Sequence, residues 1–236
     1  MNKNVEIVVA HYCEDMERLK PYAKNAIVYH KWNEDKPRFP VKKRVKLENV
    51  WREWETYLQH IIQNYDNLAD ITIFLQWWMK DQLEGKVAYK NLESYISEAN
   101  KYGFSNRRMS FLIRKTPQIK FKKKFKEWYN NWSIRHSKHS FSSFYEEIFG
   151  EKQPLILPCF FCANFAATRK TITNNPKKLY ENIHNYFIDC SNPEEWHYLE
   201  RLWFRIFNKK LKFHFLLKII IDPIVSAINL LWRIFK

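Results

Sequence analysis

Glycine is nearly absent from this chain: only Gly85, Gly103 and Gly150 occur in 236 residues. Phosphate loops need glycine so that the backbone can approach phosphate closely. Neither a P-loop nor a dinucleotide fingerprint can therefore be written from it. Cysteine is almost as sparse, at Cys13, Cys159, Cys162 and Cys190. One C-x-x-C lies in Pro158-Cys159-Phe160-Phe161-Cys162. Zinc would need further ligands at matching spacing, and the other Cys and His are isolated, so no metal ligand is assigned. Reduced thiols in a cytoplasmic protein are the expected state. A signal peptide is not expected, since Met1 leads through Asn2, Lys3 and Asn4 into a short apolar run. No internal repeat or low-complexity tract is visible.

What is present argues for a folded body. Hydrophobic residues make up 46% and aromatic residues 17% of the chain, which excludes a disordered polymer. The length fits one domain with a small appendage. The net charge of +15 is concentrated in two windows. Arg107 to His139 holds eleven Lys and Arg against one acid, and Asn208 to Lys236 holds six against one. The rest carries 23 bases and 23 acids, which cancel. The pattern is a near-neutral body with a basic, aromatic insert over residues 106–150 and a basic, apolar tail over 208–236. Such fields act on partners rather than on fold.

Val5 to Ala10, Ala26 to His30 and Ile71 to Leu75 read as buried strands. Asn49 to Tyr65 has helical spacing between the second and third, the βαβ pattern of a parallel sheet. Lys31 to Lys46 reads as a polar loop bearing Pro37 and Pro40. Leu92 to Tyr102, Lys177 to Phe187 and Pro193 to Phe207 are predicted helices, the last capped by Asn192. Phe111 to Ile113, Leu155 to Leu157 and Phe160 to Ala167 are the remaining strand candidates.

In the tail, His214, Lys218, Asp222, Ser226, Asn229 and Arg233 recur every three or four residues in an otherwise apolar run. They line one helix face, broken at Asp222-Pro223. Lys218 and Asp222 sit too centrally for a spanning helix. Two readings stand: a helix lying in an anionic membrane interface, or a helix packed on the body or on a second subunit as a homo-oligomer.

Four groups carry candidate chemistry. Ligands bind beyond the carboxyl ends of strands in open α/β sheets, where His11, Tyr12, Glu14 and Asp15 follow the first strand. The bland reading is a capped helix start. Asn49, Arg52 and Glu53 open the long helix, whose N-terminus attracts phosphate; the bland reading is an ordinary helix start. His197, Glu200 and Arg201 share a helix face, suited to a general base with its supports or to structural ion pairs. The basic run Lys120 to Lys126, followed by Trp128 to Trp132, suits single-stranded nucleic acid, anionic lipid or a solvated helix.

Several blocks resemble one family. Val5-Glu6-Ile7-Val8-Val9-Ala10-His11-Tyr12-Cys13-Glu14-Asp15 is similar to the opening of the family termed domain of unknown function 3431. So are Glu53 to Leu68 running on into Thr72 to Gln76, Cys162 to Ala166, and His197 to Trp203. The family's layout in turn resembles nucleotide-sugar glycosyltransferases of the GT-A type. That resemblance implies an α/β fold over residues 1–207 with a mixed, mainly parallel sheet flanked by helices. It implies a nucleotide-sugar donor and a surface-polysaccharide or lipid-linked glycan acceptor. Gln76 and Asn164 join His11, Tyr12, Glu14, Asp15, Asn49, Arg52 and Glu53 as donor-binding candidates. Glu200 becomes the base, supported by His197, with Arg201 or Arg52 on the departing diphosphate. Manganese or magnesium is the cofactor such enzymes commonly use, but the usual Asp-x-Asp is missing after Gln76, and Asp81 is the nearest acid on that side. The expectation is a transferase at the cytoplasmic face of the cell membrane, with no nucleic-acid partner. The alternatives are a non-catalytic nucleic-acid-binding protein and a membrane-peripheral scaffold with a degenerate transferase fold.

Overall fold

The computed structural model describes residues 3–13, 15–32, 38–48, 52–76, 92–106, 109–113, 140–160, 163–187 and 195–208. Strand β1 spans Val5–His11, followed by a 3-10 helix over Glu17–Asn25 and by β2 over Ala26–His30. Next come β3 (Lys43–Lys46), α1 (Arg52–Gln63) and β4 (Ile71–Gln76). Helix α2 (Leu92–Tyr102) leads into β5 (Phe104–Asn106) and β6 (Met109–Ile113). Helix α3 (Phe141–Phe149) precedes β7 (Ile156–Phe160) and β8 (Phe165–Thr168). Helices α4 (Arg169–Thr173), α5 (Lys177–Tyr186) and α6 (Glu195–Phe207) complete the described chain.

The main sheet has the order β3-β2-β1-β4-β8-β5. Strands β3, β2, β1 and β4 run parallel, and β8 is antiparallel to both β4 and β5. The fold is thus α/β with a mixed six-stranded sheet flanked by helices. The three predicted strands are present because β1, β2 and β4 are covered on both faces and read as near-continuous apolar runs. Strand β3 lies within the stretch read as a loop. Its Lys-Arg-Val-Lys sequence reflects an edge position, where charge protects an open strand. Residues 209–236 of the predicted tail and residues 107–108 and 114–139 of the basic insert lie outside the described residues.

One face of the sheet packs on α1, α5 and α6 through an aromatic core. Phe74 and Phe165 stack with centroids 4.8 Å apart, and Trp203 lies 5.3 Å from Phe165 and 5.4 Å from Phe207. Trp203 is fully buried, and truncating such a ring costs about 3–5 kcal/mol. Within the basic insert, Phe144 of α3 belongs to the same core and meets Tyr186 and Phe187. The other face packs Ile7, Val9, Ile73 and Leu75 on Leu92, Tyr95 and Ala99 of α2. Strand β7 pairs with β6 in a separate antiparallel ribbon.

Candidate functional site at the carboxyl edge of the parallel strands

Strands β1, β2 and β4 end side by side at His11, His30 and Gln76. The Lys31 amide donates to the His11 carbonyl at 3.0 Å, and the Leu47 amide to the His30 carbonyl at 2.8 Å, which draws three strand ends together. His11 and His30 are buried, with their Nδ1 atoms 3.0 Å apart. At that distance one ring donates and the other accepts, which fixes complementary tautomers. Beyond them, Tyr12 and Trp32 pair with centroids 4.8 Å apart, and Trp32 is 44% exposed.

The first turn of α1 supplies the polar groups on the opposite face. Lys31 Nζ donates to Glu55 Oε2 at 2.6 Å, and both side chains are buried. Gln76 Nε2 donates to Glu53 Oε2 at 3.2 Å, and the Gln76 amide donates to Asn164 Oδ1 at 2.8 Å. Carboxylates in the first turn gain from the helix dipole. Burial nevertheless dominates this pair. It pushes the Lys31 ammonium below its usual range, against the pull of Glu55 and Glu53. It pushes the Glu55 carboxyl up, against the pull of Lys31 and with the help of Glu48. Each partner is shifted toward its neutral form although the two touch.

Helix α6 passes the first turn of α1. Trp203 lies 6.0 Å from Trp54, which follows Glu53 in the first turn of α1. At the far end, Asn175 Nδ2 donates to the Ile206 carbonyl, close to where β8 leaves the opposite edge. Glu200 and the buried Arg201 lie against Cys159 of β7. Burial pushes the Cys159 thiol up to about 12, with Arg201 opposing and Glu200 reinforcing the shift.

Of the residues singled out from sequence, Glu53, Gln76 and Asn164 form one connected group, with His11 and Tyr12 along the same edge. Asp15 is exposed, and its Oδ1 accepts from the Glu17 amide at 3.0 Å, as a cap to the 3-10 helix. Glu14 and Asn49 lie outside the described residues, as do the side chains of Arg52 and His197. Sequence reasoning missed His30, Lys31, Trp32 and Glu55. The available signal was the position of His30 to Trp32 at the end of a strand running parallel to the first.

Helix α1 carries a second charged cluster at its other end. Glu6 Oε1 accepts from Lys42 Nζ at 2.7 Å, and His60 Nε2 lies 3.2 Å from Glu6 Oε2. Tyr29 Oη is 3.1 Å from His60 Nδ1. Burial acts to raise the Glu6 carboxyl, but contacts with His60 and Lys42 outweigh it and hold the group below its ordinary value. Burial and the Glu6 charge raise the Tyr29 phenol.

Among the described residues, no three His, Cys, Asp or Glu side chains converge as metal ligands, and no helix is long and apolar enough to cross a membrane. No curated protein and no solved structure matches the chain. The profile of the family described as "Protein of unknown function (DUF3431)" matches residues 7–215. The chain therefore belongs to the family of unknown function DUF3431.

Proposed function

We propose that the protein is a glycosyltransferase that moves a sugar from a nucleotide-sugar donor to a surface-polysaccharide or lipid-linked acceptor at the cytoplasmic membrane face. The observation that carries this reading is the polar group Glu53, Gln76 and Asn164 at the carboxyl edge of parallel strands, where open α/β sheets bind ligands. Tyr12 and His11, with Glu14 and Asp15 in the following segment, would hold the nucleoside. Asn49, Arg52 and Glu53 open a helix whose N-terminus favours phosphate. Arg52 or Arg201 would steady the departing diphosphate, and His197 would support Glu200.

In the reaction, the acceptor hydroxyl oxygen bonds to the anomeric carbon and the bond from that carbon to the diphosphate oxygen breaks. The hydroxyl proton passes to the Glu200 carboxylate. A positioned base of this kind contributes about 10²–10⁴ in rate. Membrane association is supported by the two basic, apolar-rich windows of the sequence.

A thermal-shift screen against nucleotide sugars, with and without manganese, tests the reading. A rise in melting temperature specific to one donor is expected. No rise with any donor, together with tight and steeply salt-dependent oligonucleotide binding, would replace it with the nucleic-acid-binding alternative.

A further inference from the structure

The outer edge of the main sheet is a run of cations that ends at the exposed Glu48. From Arg38 to Leu47 the chain carries Arg38, Lys42, Lys43, Arg44 and Lys46, and every one of these cations is exposed. Lys42 is held by Glu6, and the Arg44 guanidinium donates to the Phe39 carbonyl at 3.1 Å. The neighbouring 3-10 helix extends the patch. The Lys42 amide donates to the Ala23 carbonyl at 3.0 Å, which sets exposed Lys24 beside the start of β3, with exposed Lys20 one turn earlier.

Charge on an edge strand guards it against pairing with another chain. Here β3 carries three cations, and they fan around the edge: Lys43 stands opposite Ile27, and Lys46 opposite His30, whose side chains take opposite faces of the sheet. Charges spread in this way suit a broad anionic plane rather than a partner seated on one face. Within residues 38–48 the only aromatic ring is Phe39, which is buried, so this segment itself offers no platform for nucleic-acid bases. We infer that the β3 edge, through Lys24, Lys43 and Lys46, docks the protein on an anionic phospholipid surface. Because the Leu47 amide is tied to the His30 carbonyl, this edge runs directly to the strand ends of the candidate site. Docking there would hold that site beside the bilayer. The inference deepens the membrane-face part of the proposed function by naming the surface that docks, and because it is tested without turnover its failure leaves the transferase chemistry standing.

The test is co-sedimentation of the full chain with vesicles of phosphatidylcholine containing about 30% phosphatidylglycerol, and with pure phosphatidylcholine. Wild type is expected to partition onto the anionic vesicles only. K24Q/K43Q/K46Q is expected to weaken that partition about 100-fold, at roughly one charge contact per lysine. K43Q/K46Q, a lighter change in case the triple variant unfolds, is expected to weaken it about 20-fold. K101Q/K152Q/K170Q removes the same formal charge from elsewhere on the surface and is expected to bind like wild type. The inference is overturned if wild type ignores anionic vesicles, if the β3 variants bind like wild type, or if both triple variants lose binding equally. It is also overturned if the β3 lysines govern binding to an oligonucleotide or to polyglutamate while vesicle binding is unchanged.

Discussion

Helix α1 joins the sheet through a charge cluster at each end, and the two clusters stand in opposite electrostatic states. Toward its last turn, His60 and Lys42 converge on Glu6, and the carboxylate is better off than in water. In its first turn, Glu55 meets Lys31 at 2.6 Å, yet burial pushes both toward neutrality. In the first cluster the contacts outweigh burial, and it reads as structure. The second keeps two poorly solvated charges at the carboxyl edge of the strands, which is where perturbed groups mark functional sites. The pH dependence separates them. The depressed value at Glu6 contributes stability above the unfolded carboxyl value, and that stability is lost as pH falls through the folded value. The raised value at Glu55 is a cost of ionisation at neutral pH, relieved as pH falls through the folded value. The lowered value at Lys31 is a similar cost, relieved as pH rises through its folded value.

The largest effect is expected in function alone. Glu200→Gln should lower transfer by about 10³-fold or more, with the melting temperature unchanged, measured as initial rate with the donor that raises that temperature. An undiminished rate would remove Glu200 from the chemistry. Second in size, Lys31→Met should cost about 3 kcal/mol in urea unfolding, because it strands the buried Glu55. Adding Glu55→Leu should recover stability to within about 1 kcal/mol of wild type, as expected of a pair that burial already opposes. The matching double change Glu6→Leu with Lys42→Met should stay about 2 kcal/mol down, because His60 loses its partner. Equal recovery in the two doubles would erase the contrast between the clusters.

The third effect is the pH signature. Glu6→Gln should destabilise by about 2 kcal/mol near neutrality. The gap to wild type should shrink below about pH 4, as the wild-type carboxyl itself becomes protonated. Chemical unfolding across pH reads this directly, and a gap that persists in acid would mean that Glu6 does not act as an anion. Smallest of all, Glu53→Gln should shift stability by less than about 1 kcal/mol, since an amide can still accept from Gln76.

Periodicity made the interior legible. Val5 to Ala10, Ile27 to Tyr29 and Ile71 to Leu75 carry short apolar runs of the kind a doubly covered sheet needs. The edges were not legible in the same way. Strand β3 is four residues of mostly charged sequence, and β5 is three residues long, both too short for a period to emerge. The candidate site divides along the same line. Gln76, Glu53 and Asn164 could be singled out one by one, but their bonds join residues 23 and 88 positions apart, which no local pattern encodes. Lys31 looked like the first residue of a polar loop because its partner Glu55 lies on another element. Glu6 was hidden inside a strand signal, and His60 inside a helix signal.

The central claim is that the first-turn end of α1, and not its last-turn end, meets a nucleotide sugar. Calorimetric titration of a nucleotide-sugar panel into wild type, Glu53→Gln and Glu6→Gln tests it most directly. One donor should bind wild type, bind Glu53→Gln about tenfold more weakly, and bind Glu6→Gln as wild type does. Failure of every donor to bind, or equal weakening by both substitutions, would contradict the account.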